Sequence, residues 1–256
     1  MIFDTHAHYD DEDFDLDRED LLAKMKESGV SHVVNIGASL ESTKRSVELA
    51  KQYDFIYAAV GVHPSDTREL NEETFQWLKK QCKEPKVVAV GEIGLDYYWD
   101  EPERDIQKEW FARQIALGRE EKLPLVIHSR DAAQDTIDIM KSEKAAEAGG
   151  ILHCFSYTKE TAKIFLDMDF SFGIGGVITF KNAKKLKEAV EYIPIDKIVI
   201  ETDCPYLSPE PNRGKRNSSL NLPYVVKAIA EIKNLPEEEV LRKTYENAKK
   251  LYRIED

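Results

Sequence analysis

Eight short apolar runs, most of them rich in β-branched residues, recur along this chain and constrain its fold more than any other feature. They occupy residues 2–3, 32–36, 56–60, 87–90, 125–127, 150–152, 170–174 and 198–200. The segments between them carry apolar residues at helical spacing, as in residues 18–28, 42–53 and 104–121. A strand and a helix that alternate every ~20 to 37 residues have the size of a βα unit, which predicts a parallel sheet covered by helices.

The number of these units favours a closed barrel. Eight strands that each precede a helix, in a chain of 256 residues, fit a (β/α)8 TIM barrel formed as one domain by residues 1–256. An open doubly wound sheet is the alternative, but no Gly-x-Gly-x-x-Gly motif follows the early strands. Two additional C-terminal helices, at residues 222–233 and 237–252, are expected to cover the bottom and the side of the barrel.

The composition is that of a globular protein, with 42% hydrophobic and 33% charged residues. No apolar run approaches the roughly 20 residues of a membrane span, and the first residues form neither a basic segment nor an apolar signal core. We therefore expect a cytoplasmic protein that does not bind a membrane. Cys82, Cys154 and Cys204 include no Cys-x-x-Cys pair, so we expect reduced, packed thiols.

The net charge of −12 argues against a protein that binds nucleic acid on a broad basic face. An anionic substrate would have to be bound locally, by metal ions and a few arginines. The one concentrated basic segment, residues 211–217, follows the eighth strand and is expected to contact an anion. The acidic segment at residues 10–20 lacks the glycine and the final acidic residue of an EF-hand, so it predicts a solvated loop.

Histidines and carboxylates gather at the ends of the predicted strands. His6 and His8 end the first strand, and two histidines separated by one residue leave a strand on the same side. Five of the six histidines and two carboxylates fall at the carboxyl ends of strands: His6, His8, His63, Glu92, His128, His153 and Asp203. In a TIM barrel these ends form the rim that carries the active site. The remaining histidine, His32, starts the second strand at the opposite rim and is expected to be structural.

Imidazoles and carboxylates that are buried together need a cation to offset the cost of leaving water. We predict that six of these residues bind two divalent ions about 3.5 to 4 Å apart. The six are His6, His8, Glu92, His128, His153 and Asp203. Mg, Mn, Zn, Co and Ni all suit such a mixed set of ligands. Glu201 lies on the same side of its strand as Asp203, so it either supports the metal ligands or lines the barrel. The alternation of side chains is expected to turn Cys154 and Cys204 away from this site.

Four further residues border the predicted metals and are expected to bind substrate: His63, Arg130, Arg213 and Arg216. Arginine can bind a phosphate or a carboxylate through two parallel hydrogen bonds. His63 lies in a Gly-Val-His-Pro turn directly after the third strand. These contacts would place positive charge and a hydrogen-bond donor beside an anionic substrate.

Seven blocks of sequence carry a family resemblance along the whole chain. They are Asp4-Thr-His6-Ala-His8, Gly61-Val-His63-Pro64, Gly91-Glu92-Ile-Gly-Leu-Asp96, Ile127-His128-Ser-Arg130, His153-Cys-Phe-Ser156, Glu201-Thr-Asp203-Cys-Pro205-Tyr206-Leu and Pro211-Asn-Arg213-Gly-Lys-Arg216. In type and order these blocks resemble the TatD-type metal-dependent hydrolases of the amidohydrolase superfamily. The resemblance implies a (β/α)8 barrel, a two-metal centre and, in many members, DNase activity.

The resemblance also implies how the metal ligands divide. It places His6, His8 and Asp203 on one ion and His128 and His153 on the other, with Glu92 bridging the two. Many binuclear amidohydrolases bridge their metals with a carboxylated lysine, and Glu92 takes that place here. Tyr157 stands where the family often has glycine, a change that affects the rim and leaves the ligands intact.

The predicted reaction is hydrolysis of a phosphodiester bond in DNA by a metal-activated water, with Asp203 orienting the water and accepting its proton. Single-stranded DNA is the expected substrate, and no obligatory protein partner is inferred. The same metals could instead promote attack on an acyl carbon, as in the D-aminoacyl-tRNA deacylation also associated with TatD relatives, with aminoacyl-tRNA as substrate. A non-catalytic metal-binding scaffold is a third hypothesis, which the complete set of ligands disfavours.

Overall fold

The computed structural model of the protein describes residues 1–255 and contains eight parallel strands, each followed by a helix. The strands are β1 (Ile2–Ala7), β2 (Val30–Ile36), β3 (Ile56–Val60), β4 (Val87–Asp96), β5 (Leu125–Arg130), β6 (Gly150–Leu152), β7 (Ser171–Ile174) and β8 (Ile198–Ile200). The helices are α1 (Arg18–Glu27), α2 (Leu40–Gln52), α3 (Glu72–Gln81), α4 (Arg104–Glu121), α5 (Ala133–Ser142), α6 (Lys159–Asp167), α7 (Lys184–Tyr192), α8 (Leu222–Lys233) and α9 (Glu237–Tyr252). None of the helices within residues 1–255 is both long and apolar enough to cross a membrane.

The sheet closes between β1 and β8 through a short seam. Each strand pairs with the next in the order β1 to β8, and Ala7 forms a parallel bridge with Cys204. The backbone N–H of His8 donates to the carbonyl of Cys204 at 2.9 Å, and the N–H of Asp203 donates to the carbonyl of His6 at 2.9 Å. The chain therefore forms the predicted (β/α)8 TIM barrel, and the seam lies next to three of the predicted metal ligands.

The C-terminal helix closes the amino-terminal end of the barrel. One cluster of buried residues combines the strand residues Phe3, Val34, Ala59, Val126, Ile151 and Val199 with Ala248, Tyr252 and Ile254. The ring of Tyr252 stacks on Phe3 with 5.9 Å between centroids, and its hydroxyl donates to the carbonyl of Thr5 at 2.9 Å. His32 also stacks on Phe3, at 5.0 Å. This end of the barrel is thus packed with side chains, which leaves the carboxyl ends of the strands as the open face.

Three strands extend further towards the open face than their apolar runs predicted. β1, β4 and β5 include His6, Glu92 and His128 respectively, and the pairing of β1 and of β4 shifts register next to these residues. Such irregularities redirect side chains and are common beside active sites. Gly94 makes the close packing of β4 against β5 possible, because its φ is +150° and a Cβ atom there would lie 1.8 Å from the carbonyl oxygen of His128.

Candidate metal centre

The predicted metal ligands converge on one cavity at the carboxyl ends of the strands. The cavity has a volume of about 610 Å³, and its lining includes His8, Glu92, His128, His153 and Asp203. The sixth predicted ligand, His6, is fully buried beneath this lining. Residues that are almost 200 positions apart in the chain therefore meet in a single site, as the strand-end pattern predicted.

Glu92 stands at the centre of the cluster, and its two carboxylate oxygens face different histidines. Oε2 lies 3.4 Å from Nε2 of His6 and 3.9 Å from Nε2 of His8. Oε1 lies 2.7 Å from Nδ1 of His128 and 3.3 Å from Nε2 of His153. Nε2 of His63 also lies 3.9 Å from Oε1. The two oxygens thus face separate sets of imidazoles, as a bridging carboxylate requires.

His6, His8 and Asp203 form the group on the Oε2 side. The Nε2 atoms of His6 and His8 are 3.1 Å apart, and Oδ1 of Asp203 lies 3.5 Å from the first and 3.4 Å from the second. Nδ1 of His8 donates to the carbonyl of Ile36 at 3.0 Å, because a carbonyl can only accept. That hydrogen bond leaves Nε2 of neutral His8 with a lone pair directed at the site, as metal-binding histidines require.

Glu201 supports His153 from behind. Its Oε1 lies 3.1 Å from Nδ1 of His153 and accepts the backbone N–H of Cys154 at 2.6 Å. The carboxylate is fully buried, and the space it occupies depends on Gly173, where a Cβ atom would lie 2.0 Å from Oε2. Of the two positions that the sequence allowed for Glu201, the structure therefore favours contact with His153, a predicted metal ligand.

Asp96 is a residue of the site that the sequence reasoning did not single out. Its Oδ2 lies 3.2 Å from Nε2 of His128, and its Oδ1 accepts the backbone N–H groups of Tyr98 and Trp99 at 2.9 and 3.1 Å. The available signal was its spacing of four residues from Glu92 within one strand, which places the two carboxylates on the same side.

The charges of the cluster suit the binding of cations. Burial lowers the pKa of His8, but the hydrogen bond and charge of Asp203 outweigh it and raise the pKa to about 9. Burial also lowers the pKa of His153, but the charges of Glu201 and Glu92 raise it to about 10. Burial raises the pKa of Glu92. The charge of His153 and the hydrogen bonds of Glu92 with His128 and His6 nevertheless hold this pKa well below the usual range. Without metal, protons on imidazoles balance the buried carboxylates, and divalent cations can replace those protons.

The donor atoms fit divalent metal ions. Nδ1 of His6 is buried and, within residues 1–255, makes no hydrogen bond, while the His6 and His153 rings stack with only 3.6 Å between centroids. Among the described residues, four sets of side chains each bring their potential ligand atoms within 4.8 Å of one another, and one of these sets is His6, His8 and Asp203. Imidazole nitrogens and carboxylate oxygens in this combination are ligands for Mg, Mn, Zn, Co or Ni.

His63 and Arg130, two of the four predicted substrate-binding residues, line the cavity. Nε2 of His63 lies 3.9 Å from Oε1 of Glu92. The guanidinium of Arg130 stacks on the ring of Tyr98, with its central carbon 3.8 Å from the ring centroid. Both residues are therefore placed beside the metal ligands, at the entrance to the site.

The other two predicted substrate-binding residues, Arg213 and Arg216, are outside the described lining of this cavity. The guanidinium of Arg213 stacks on Phe180 at 4.2 Å. Arg216 donates to both carboxylate oxygens of Asp17, at 2.9 and 2.6 Å. The basic segment is thus joined to the acidic segment that follows β1, and contact of these two arginines with substrate stays a prediction.

The expectation that Cys154 would turn away from the site was wrong. Its ligand atom lies within 4.8 Å of those of His153 and Asp203, because Cys154 has a left-handed backbone, with φ of 44°, that interrupts the alternation of side chains. Burial raises the pKa of the Cys154 thiol well above its usual value, so the thiol is protonated. Cys204, by contrast, is fully buried, and all three cysteines are free thiols.

Comparison with known proteins identifies the family of this chain. The protein named "Uncharacterized metal-dependent hydrolase YabD" from Bacillus subtilis (strain 168) is 48% identical over 254 residues, which cover 99% of this chain and 100% of the relative. The one named "Uncharacterized metal-dependent hydrolase YcfH" from Escherichia coli (strain K12) is 35% identical over 258 residues, covering 100% and 97%. The crystal structure of YJJV, a TatD homolog from Escherichia coli K12, superposes with a TM-score of 0.93 at 28% identity and covers 99% of this chain and 98% of that one. Residues 3–253 match the family described as TatD related DNase, and the chain therefore belongs to the TatD family of metal-dependent hydrolases.

Proposed function

We propose that this metal-dependent hydrolase cleaves phosphodiester bonds in DNA with two divalent ions bound around Glu92. The observation that carries the proposal is the position of Glu92, whose two oxygens face separate sets of histidines. Bound in such a site, divalent ions lower the pKa of water and polarise a phosphoryl oxygen. One ion would be bound by His6, His8 and Asp203, the other by His128 and His153, and both by Glu92.

Asp203 is the residue that we assign to proton transfer. It lines the cavity, and the hydrogen bond from its backbone N–H to the carbonyl of His6 holds it at the seam of the barrel. Burial raises the pKa of its carboxyl, but the charge of His153 and the hydrogen bond with His8 bring the pKa below its usual value. The carboxylate is therefore ionised, so it can orient the attacking water and accept its proton.

His63 is suited to donate one hydrogen bond to the substrate. Burial and the charge of His128 lower its pKa to about 3, so the imidazole is neutral. Nδ1 accepts the backbone N–H of Ser65 at 3.2 Å, which puts the single ring proton on Nε2, the atom near Glu92. His63 thus offers an N–H group at the entrance to the site.

Arg130 is suited to bind a non-bridging phosphate oxygen. Its stacking on Tyr98 uses the face of the guanidinium and leaves the N–H edge for an anion. A phosphodiester is anionic, whereas the ester of an aminoacyl-tRNA is neutral at the reacting carbon, so a cation at this position favours the DNase hypothesis. Charge that develops on phosphate oxygens during hydrolysis would be stabilised there.

The proposed substrate is single-stranded DNA, and the proposed compartment is the cytoplasm. Single-stranded DNA suits a protein with net charge −12, because a duplex site would call for a broader basic face than one cavity-lining arginine provides. Three free thiols are in keeping with a cytoplasmic protein. No obligatory protein partner is part of the proposal.

Parallel assays on one metal-loaded preparation test this function. We expect cleavage of a single-stranded oligonucleotide that depends on added divalent metal and stops with a chelator. A D-aminoacyl-tRNA is the second substrate, and its deacylation without DNA cleavage would replace the DNase by an ester hydrolase. Stable metal binding without hydrolysis of either substrate would instead support a metal-binding scaffold.

A further inference from the structure

Large aromatic side chains are exposed at the mouth of the metal-centre cavity. Trp99 is 65% exposed and Tyr206 is 55% exposed, and both line the cavity. An aromatic ring that is exposed to water contributes little hydrophobic stabilisation to the fold. Exposed aromatic groups that gather around a cavity are typical of binding sites. These two rings therefore require an explanation other than the stability of the fold.

Trp99 and Tyr206 lie on opposite sides of the mouth. Trp99 follows β4 and Tyr206 follows β8, and the strands succeed one another around the barrel in the order β1 to β8. Two strands that are four positions apart in a ring of eight face each other across the barrel axis. The two rings are therefore carried by loops that follow opposite strands of the barrel, and both line the same cavity.

Both aromatic residues are attached to residues of the metal centre. The backbone N–H of Trp99 donates to Oδ1 of Asp96 at 3.1 Å. The backbone N–H of Tyr206 donates to the carbonyl of Asp203 at 2.9 Å, and its hydroxyl donates to Asp11 at 3.0 Å. The backbone of each aromatic residue is thus bonded to an acidic residue of the cluster, Asp96 or Asp203.

Trp99 has an aromatic ring, Tyr98, and a cation, Arg130, in its surroundings. Tyr98 packs edge to face against Trp99, with 5.1 Å between centroids, and the face of Tyr98 is covered by the guanidinium of Arg130. Arg130 and Trp99 therefore both contact Tyr98, which brings a positive charge and an exposed planar ring into one group of side chains. A nucleotide has the same pairing, an anionic phosphate next to a planar base.

We propose that Trp99 and Tyr206 bind nucleobases on either side of the phosphodiester that is cleaved, each by stacking on the face of a base. This inference rests on the proposed phosphodiesterase function. Stacking on a side chain requires a base whose face is free, so the two residues would select unpaired nucleotides. Every base has such a face, and the contact would therefore tolerate any sequence.

Steady-state hydrolysis of a short oligothymidylate is the test, compared with an oligomer of the same length whose nucleotides are abasic. We expect Trp99→Ala and Tyr206→Ala each to raise the KM for oligothymidylate by roughly tenfold and to leave kcat nearly unchanged. On the abasic oligomer the wild-type protein and both variants should share one high KM. Trp99→Phe and Tyr206→Phe keep a ring and should retain most of the affinity.

The matched control is Tyr192→Ala, since Tyr192 is 46% exposed but belongs to the end of α7 and should leave both KM values unchanged. An unchanged KM for oligothymidylate in both alanine variants would overturn the inference. Equal losses on oligothymidylate and on the abasic oligomer would also overturn it, because they would show a structural effect of the substitutions.

Binding to the metal-depleted protein separates this inference from the proposed function. If the wild-type protein hydrolyses neither oligomer, the phosphodiesterase proposal fails, and fluorescence anisotropy of labelled oligomers still tests the stacking. Tighter binding of oligothymidylate than of the abasic oligomer, lost in the two alanine variants, would support stacking alone. Equal binding of the two oligomers, or no binding of either, would refute it.

Discussion

Oδ2 of Asp96 lies 3.2 Å from Nε2 of His128, so the imidazole stands between this carboxylate and Glu92, which lies 2.7 Å from Nδ1. A histidine that binds a metal through one nitrogen commonly uses the other to contact a carboxylate, which fixes the orientation of the ring. Asp96 also accepts N–H groups from Tyr98 and Trp99. Asp96 therefore connects a predicted metal ligand to the loop that carries the exposed aromatic residues.

Asp96→Asn is expected to weaken metal binding by about 10- to 100-fold while the fold is kept, because the ring of His128 loses a charged partner. Isothermal titration with a divalent metal measures the affinity, and circular dichroism checks the fold. Asp100→Asn is the control, since Asp100 belongs to the same loop but pairs with Arg104 at the surface. Equal metal affinity in wild type and Asp96→Asn would contradict this assignment.

Gly173→Ala is expected to disturb the site from a distance. A Cβ atom there would lie 2.0 Å from Oε2 of Glu201, and displacing that buried carboxylate removes the support of His153. We expect a loss of about 1–3 kcal/mol in the free energy of unfolding, the usual cost of overpacking, together with weaker metal binding. Urea unfolding and metal titration measure the two effects.

The control for this substitution is Gly175→Ala, where the nearest atom to an added Cβ would be the carbonyl oxygen of Glu201 at 3.3 Å. Its effect on both measurements should be much smaller. A Gly173→Ala variant with the stability and the metal affinity of the wild type would show that Glu201 tolerates displacement.

His128→Ala and Asp203→Asn should each lower metal-dependent turnover by about 10²- to 10⁴-fold with the fold retained. His128 is a predicted metal ligand and Asp203 the predicted proton acceptor. Asp169→Asn is a matched control for Asp203→Asn, because both aspartates have a left-handed backbone, with φ of 64° and 57°, and asparagine tolerates that conformation. Turnover near the wild-type rate in both site variants would end the assignment.

Metal binding is expected to release protons and to strengthen as the pH rises. In the metal-free protein the pKa values of His8 and His153 are raised to about 9 and about 10, so both imidazoles are protonated below those values. For each proton that the metal displaces, the metal affinity should rise roughly tenfold per pH unit until the pH exceeds the pKa of that imidazole. Calorimetric titrations in buffers of different ionisation enthalpy count the protons released. An affinity that does not change between about pH 6 and pH 9 would contradict this protonation state.

Periodicity along the chain was sufficient to predict alternating strands and helices, and their number favoured the barrel over an open sheet. The local spacing of apolar residues indicates whether a segment forms a strand or a helix. Eight successive strand–helix units then favour a closed barrel. The helices α4, α8 and α9 have the bounds that spacing predicted. The convergence of the predicted metal ligands could also be anticipated from the sequence, because each lies at or just beyond the end of an apolar run, and those ends meet on one rim.

Directions and partners of side chains were decided only by the tertiary structure. Cys154 faces the ligands because one left-handed residue reverses the alternation, and Asp96 reaches His128 because a glycine brings β4 against β5. Arg216 binds Asp17, some 200 positions away, although its position suggested substrate contact. The spacing of residues predicts which side chains share a face of a strand or a helix only where the backbone of that element is regular. Bulges, turns and long-range ion pairs depend on how the finished barrel packs, and that information is not contained in any one stretch of the chain.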